Sequence, residues 1–366
     1  AGAAARIGRT RLMQARAGFI SSPHAARVNS VDWVMLQVCL ALVPGTLALV
    51  WFFGWGVLIN MALAVVFAVV AEALVMKVRG RPALPAIADY SAVVTALLFA
   101  LTIPPTLPWW LTLLGILFAI VIVKQLYGGI GYNPFNPAMA GYVFLLISYP
   151  VATTTWLPPD VPALLAAQDL VTLSFMDSAR LIFTGALPAE HTWDAVSAAT
   201  PLDDMRTKLD QGMSMDEIRA SSPLWGLFGG RGWEWVAFWF LLGGLYMLWR
   251  KVITWQIPVA FLAGLMLAAA AFWLLDPQGY PAPMLHLVSG AAVLGAFFIA
   301  TDPVSACTTK RGQLVYGFLI GVTIYVIRTW GGYPDAVAFS VLLLNIAAPM
   351  IDHYTQPRVF GQKRSA

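Results

Sequence analysis

Two stretches of this chain hold residue types and spacings that could do chemistry. The first, Tyr127-Gly128-Gly129-Ile130-Gly131-Tyr132-Asn133-Pro134-Phe135-Asn136-Pro137-Ala138, sets two Asn-Pro pairs around a phenylalanine. Each proline biases the asparagine before it to extended backbone. In apolar surroundings the freed carbonyls and asparagine amides need protein, water or a ligand as partners. A planar heteroaromatic with donors and acceptors on one edge, such as an isoalloxazine, would suit Asn133 and Asn136. A tight helix-start turn with capping asparagines is the competing reading. The second stretch, Asp194-Ala195-Val196-Ser197-Ala198-Ala199-Thr200-Pro201-Leu202, is a run of small residues ending in a hydroxyl and a proline. Thr200 there is open to modification, or is the N-cap of a helix starting at Leu202.

Other candidates are few. Among the ionisable residues within or at the ends of apolar segments, Glu72, Lys124, Asp89, Asp302, Asp335 and Asp352 are singled out, and such residues are functional candidates by default. Glu72 with Lys77 reads as an interfacial ion pair, whereas Asp302-Pro303 fits a helix cap and an ion ligand equally well. His24, His191, His286 and His353 are scattered, and Cys39 and Cys307 are far apart. Neither set has metal-ligand spacing. There is no phosphate-cradling loop of the P-loop kind and no catalytic constellation of a soluble enzyme.

These residues must be positioned by a membrane scaffold. Of 366 residues 59% are apolar and only 11% charged, with mean hydropathy +0.74, against about 25% charged in soluble domains. Hydropathy predicts about ten spans, at 31–53, 57–76, 89–102, 109–127, 138–157, 234–250, 253–275, 284–300, 313–329 and 335–352. The third is too short to cross as a regular helix and reads as a broken helix lining a cavity. The fold class is therefore all-α and polytopic. Residues 1–30 carry Arg6, Arg9, Arg11, Arg16 and Arg27 but no short apolar core, so no cleavable signal is expected.

Charge gives the orientation. The N-terminal arm, Lys77, Arg79, Arg81, Lys124, Arg250, Lys251, Lys310, Arg311 and the tail with Arg358, Lys363 and Arg364 all fall on one side of this topology. The polar segment on the other side holds ten acids against four bases between 158 and 230. The positive-inside rule then makes both termini cytoplasmic and the segment with Thr200 extracytoplasmic. Although the pI is about 9.1, the basic residues are sorted by membrane side, and nucleic acid is discarded as a partner.

The chain also repeats itself. Ser91 to Pro104 resembles Gly290 to Pro303, and each half carries a glycine turn some thirty residues on, at Gly128–Pro134 and Gly331–Pro334. Odd-numbered halves of five spans are inverted relative to each other, and inverted repeats place a site between interrupted segments of both halves. The expected domains are an arm at 1–30, a first repeat at 31–157, an extracytoplasmic loop at 158–232, a second repeat at 233–352 and a tail at 353–366.

Tyr132-Asn133-Pro134-Phe135-Asn136-Pro137-Ala138-Met139, Leu146–Pro150, Ser197–Leu202, Thr301-Asp302-Pro303 and Gly331–Asp335 together resemble one family. It contains the D subunit of the Rnf ion-translocating electron transport complex and the B subunit of the sodium-translocating NADH:quinone reductase. The similarity runs from Ser21 to Arg358, and the short arm and outer-loop sequence look more like the Rnf protein. The resemblance implies an FMN joined through its phosphate to a threonine by a separate flavin transferase, and the pattern Ser-Gly-Ala-Thr, often preceded by Asp, lands on Ser197–Thr200 with Asp194 upstream. Ala198 replaces the usual glycine. It further implies a non-covalent riboflavin near Asn133 and Asn136. The implied function is an electron-transfer subunit in the bacterial inner membrane, within a multi-subunit complex coupling ferredoxin:NAD+ oxidoreduction to Na+ or H+ movement. The rivals are a quinone-reductase subunit and a flavin-free transporter or channel on the same repeat.

Overall fold

The computed structural model describes residues 30–189, 191–333 and 336–357. The arginine-rich arm with His24, Glu190, the Pro334-Asp335 half of the second glycine turn, and the tail from Arg358 lie outside them. Among the described residues the chain is helical, with isolated bridges at Trp156–Ala198 and Trp225–Gly230.

Among the described residues the main apolar helices carry the structure. They are α1 (Val31–Phe53), α2 (Gly56–Val78), α3 (Ser91–Ala100), α4 (Trp109–Gln125), α5 (Pro137–Ser148), α6 (Trp233–Trp249), α7 (Gln256–Leu275), α8 (Ala292–Leu294 continuing as π-helical Gly295–Ile299), α9 (Lys310–Trp330) and α10 (Val337–Thr355). Five of them, α1, α2, α7, α9 and α10, are each long and apolar enough to cross a membrane. The chain is a multi-pass membrane protein.

The shorter helices differ from the expected spans where the backbone is interrupted. Residues 138–157 are not one helix: α5 stops at Tyr149 (φ −137°) and a short helix, Pro150–Thr154, follows. Pro150 has no N–H to continue the ladder. Residues 284–300 are likewise divided into Pro283–Val288 and α8, with the chain turning through Ser289 and Gly290 (φ +66°). The third span is the ten-residue α3, short as expected; Asp89 accepts from the Ser91 amide at 2.8 Å and the Ser91 hydroxyl at 2.5 Å at its start.

Within the first half α2 packs on α3 and α4; within the second, α7 packs on α9 and α9 on α10. The halves meet where α1 packs on α6 and α5 on α10. Small residues set these approaches. A Cβ on Gly317 of α9 would stand 2.7 Å from the Ile257 carbonyl oxygen, and one on Gly321 would press on the Phe261 carbonyl and lie 2.5 Å from the Leu265 nitrogen. Gly243 of α6 abuts the Ala41 carbonyl of α1 in the same way. Without a hydrophobic drive between helices in lipid, such close van der Waals packing holds a bundle together.

Between Leu157 and Trp233 the chain forms short helices at Pro162–Gln168, Phe175–Thr184, Trp193–Val196, Pro201–Asp210 and Met215–Ser221. They close over two small apolar clusters: Leu157, Leu173, Leu181 and Val196 in one, and Leu202, Met205, Met215, Ile218, Trp225 and Leu285 in the other. Gly321→Leu, which drives a side chain into backbone, is expected to destabilise the chain by about 3 kcal/mol. Its unfolding midpoint in detergent should fall well below that of an exposed-position control, Leu319→Ala.

Candidate cofactor sites

The interrupted helices α3 and α8 line two cavities, one at each end. At the C-terminal end of α3, Leu101 and Thr102 meet Gly290, Ala291 and Leu294 from the start of α8 around a cavity of about 80 Å³. At the other end, Ser91, Val94 and Thr95 of α3 face Phe297, Phe298 and Thr301 from the end of α8 across a cavity of about 710 Å³. The two segments that the sequence pairs as repeats thus run past each other with their ends exchanged.

Thr200 lines the smaller cavity. Two contacts bring it there. The Ala198 amide donates to the Trp156 carbonyl at 3.0 Å, tying the segment to the end of the first half. Pro201 then starts the ten-residue helix Pro201–Asp210, with its fixed φ pre-organised for the first position. Thr200 is the N-cap of that helix: its Oγ1 accepts from the Asp203 amide at 3.3 Å and donates to Asp203 Oδ2 at 2.6 Å. Ser174 with Asp177 and Ser214 with Glu217 repeat the pattern, so the capping bonds by themselves identify no cofactor. The walls of the cavity are more telling. Trp156, Trp233, Tyr142 and Phe240 surround it, and Phe53 closes an aromatic cluster with Trp156 (5.8 Å) and Trp233 (4.6 Å). The cavity, about 80 Å³, is too small to enclose a flavin ring, so a group esterified to this half-buried hydroxyl would lie largely outside it, against the aromatic rim.

Ser197 and Asp194 are elsewhere. The Ser197 hydroxyl donates to the Trp193 carbonyl at 2.8 Å, and its residue lines a different cavity, of about 710 Å³, with Trp193, Tyr149 and Val151. Asp194 is exposed and lines none of the three cavities.

Asn133 and Asn136 both line the larger α3–α8 cavity and are buried. Their amides differ in what they leave free. Asn136 accepts from the Met139 amide at 3.2 Å as the N-cap of α5, and donates to the Ile299 carbonyl at 3.3 Å. Its own backbone amide donates to Asn345 Oδ1 at 3.1 Å. The capping alternative therefore holds for Asn136, which also ties the halves together. Asn133 spends its amino group on the Phe135 carbonyl at 2.9 Å and keeps its carbonyl oxygen. Asp302 also lines this cavity while accepting from the Ser305 hydroxyl at 2.7 Å and the Val304 amide at 3.3 Å, which is a turn-cap role. With its mixed polar and aromatic lining and a volume in the range of small-molecule sites, this cavity fits a flavin-sized ring.

The expected Glu72–Lys77 pair is not formed. Lys77 is exposed, while Glu72 and Lys124, with side chains 1% and 3% exposed, pair at 2.7 Å. Lys124 is accordingly a buried helix residue and not one of the surface cations that report sidedness. The reason is local. Five residues of α-helix turn Lys77 roughly 140° away from the Glu72 face, whereas α4 widens into a π-helix over Phe118–Gln125. That widening lets two adjacent side chains reach one carboxylate: Gln125 Nε2 donates to the same Oε1 at 2.7 Å. Lys124 also donates to the Ser91 hydroxyl at 2.6 Å and lines the larger cavity. Removing one member of such a pair costs about 3–5 kcal/mol. Neither this pairing nor the Trp156–Trp233 wall is visible in the sequence.

Thr200→Ala should cost about 1 kcal/mol in the loop through the lost cap, roughly fivefold in local opening. Hydrogen exchange of the Pro201–Asp210 amides checks this, with Thr200→Ser expected to hold close to the parent.

Comparison with known proteins now gives the family. The profile of the NQR2, RnfD, RnfE family matches residues 19–361. A protein of Alcanivorax borkumensis, named as the D subunit of an ion-translocating oxidoreductase complex, is 57% identical over 346 residues, covering 94% of this chain and 97% of its own. Proteins of the same name from Aeromonas hydrophila and Yersinia pseudotuberculosis are 52% and 51% identical, each covering 94% of this chain and 98% of its own. On that match the chain belongs to the NQR2, RnfD, RnfE family.

Proposed function

We propose that this chain is the membrane electron-transfer subunit of an Rnf-type ion-translocating oxidoreductase complex, with one flavin site at each end of the α3–α8 pair. The observation that carries the reading is the placement of Thr200 and of Asn133 at opposite ends of the same two interrupted helices. The names of the relatives support the complex, and support it over the quinone reductase. FMN is joined by its phosphate to Thr200 by a separate flavin transferase. Riboflavin occupies the larger cavity without a covalent bond. The flavins supply the redox chemistry, and the protein supplies position and electrostatics.

Each end has its own task. Thr200 anchors one ring through its hydroxyl, which gives up its hydrogen bond to Asp203 when esterified. Trp156, Trp233 and Tyr142 exclude water from that end. Asn133 offers a carbonyl oxygen to ring donors at the other end, while Asn136 fixes the turn. The length of α3, ten residues, separates the ends by about 15 Å at 1.5 Å per residue.

The described surface cations support the orientation. Lys77, Arg79, Arg81, Arg250, Lys251, Lys310 and Arg311 are exposed and lie at the helix ends nearest the larger cavity, which Val252, Thr254 and Thr308 help to line. By the positive-inside rule that end is cytoplasmic and Thr200 lies on the periplasmic side of the inner membrane. The pairing of α1 with α6 and of α5 with α10, and the matched α2–α4 and α7–α9 contacts, support two inverted five-helix repeats. The complex then couples ferredoxin:NAD+ oxidoreduction to Na+ or H+ movement, with this chain relaying electrons between its neighbours in the complex.

In-gel fluorescence of the denatured chain, coexpressed with a flavin transferase, tests the anchor. Flavin fluorescence should survive denaturation in the parent and disappear in Thr200→Ala, while Ser197→Ala keeps it. A parent chain without fluorescence, or a fluorescent Thr200→Ala, removes Thr200 as the attachment residue.

A further inference from the structure

The larger cavity has a feature that its asparagines do not explain. It is lined by a buried ammonium, Lys124, on the π-helical end of α4. Two of the three N–H bonds of that ammonium are taken, by Glu72 Oε1 at 2.7 Å and Ser91 Oγ at 2.6 Å. The third has no partner among the described residues. Glu72 does not line the cavity, and its Oε2 accepts no hydrogen bond. The charge pair is therefore polarised, with its positive member at the cavity wall and its negative member behind it.

The pair is held in that order from several sides. The Ser91 hydroxyl that accepts from Lys124 donates in turn to Asp89 Oδ1 at 2.5 Å. Gln125, which donates to Glu72, is itself bound through its side-chain and backbone oxygens by Arg79, at 3.2 and 3.0 Å. The π-helical widening holds Lys124 and Gln125 on one carboxylate. A structural ion pair needs no such exposure of its cation to a cavity, and burying two charges where apolar side chains would pack is seldom stabilising by itself.

We propose that Lys124 is a tuning residue for the ring held in this cavity. Its ammonium favours the reduced state, because each electron that enters an aromatic ring from a partner carrier places negative charge in a low-dielectric space beside it. Glu72 holds the lysine from behind, at 2.7 Å, with the lysine at the cavity wall. This inference rests on the reading of the larger cavity as a flavin site, and it adds what that site does to its occupant. Asp302 lines the same cavity and accepts hydrogen bonds from Ser305 and Val304, so Lys124 is the cation of the described lining.

The test is a spectroelectrochemical titration of the acid-extractable flavin in the intact complex purified in detergent. K124M lowers its midpoint potential, with the ratio of reduced to oxidised ring at fixed ambient potential falling at least tenfold, about 30 mV for a two-electron couple. The midpoint of the covalent flavin at the other end stays where it was. Because K124M leaves a lone buried carboxylate, the double variant E72Q/K124Q, which removes both charges and keeps hydrogen-bonding side chains, is titrated alongside. It lowers the same midpoint. A parent-like midpoint in whichever of these variants binds the flavin overturns the proposal, as does loss of the flavin from both variants, which makes the pair a scaffold for the site. A parent complex with no extractable flavin overturns the reading of the cavity itself, and is told apart by being seen before any substitution is made.

Discussion

Everything in this structure depends on one constraint: a membrane-embedded backbone cannot leave its N–H and C=O groups unpaired against lipid. Helices α3 and α8 stop part-way, so their ends need shelter. The rest of the bundle gives it. Asn136 donates to the carbonyl of Ile299 at the end of α8, and Asn345 of α10 accepts from the Asn136 amide. Asn60 of α2 donates to the Pro105 carbonyl beyond α3 at 3.2 Å, and Thr112 of α4 donates back to Asn60 at 3.0 Å. Interrupting two helices thus creates both the polar anchors between halves and the two lined cavities.

That arrangement links packing to function. Glycines at 243, 264, 317 and 321 let α1, α6, α7 and α9 approach closely and surround a centre in which irregular backbone is tolerated. The polar segment between the halves is not a passive loop, since the Trp156–Ala198 bridge presses Thr200 against an aromatic wall made by Trp156 and Trp233. Moving one charge across 100 mV costs about 2.3 kcal/mol. Under the proposed function, electron passage between the two ends is on that account a step with energetic consequences for a coupled ion.

Much of this is legible in the sequence, and the failures have physical causes. The bounds of α1 and the shortness of α3 follow from hydropathy and length alone, as does the all-helical class. The breaks at Tyr149 and Gly290 do not, because apolar residues on both sides of a break leave hydropathy unchanged. Lys124 reads from sequence as a membrane-surface residue because a cation at a span end is usually there; a π-helical register, which no periodicity reveals, puts it in the interior. For Asn136 the sequence leaves a ligand role and a capping role open, and the Met139 contact shows the cap. For Thr200 the cap is visible in geometry, whereas the proposed attachment rests on its motif and its cavity.

The most direct test of two cofactor sites in one chain is a partition of its flavin. The purified chain, matured with its transferase, is precipitated in acid, and flavin is counted in pellet and supernatant. One flavin per chain in each fraction is the predicted result. Flavin confined to one fraction contradicts a site at each end of α3 and α8, and flavin in neither returns the bundle to the transporter reading.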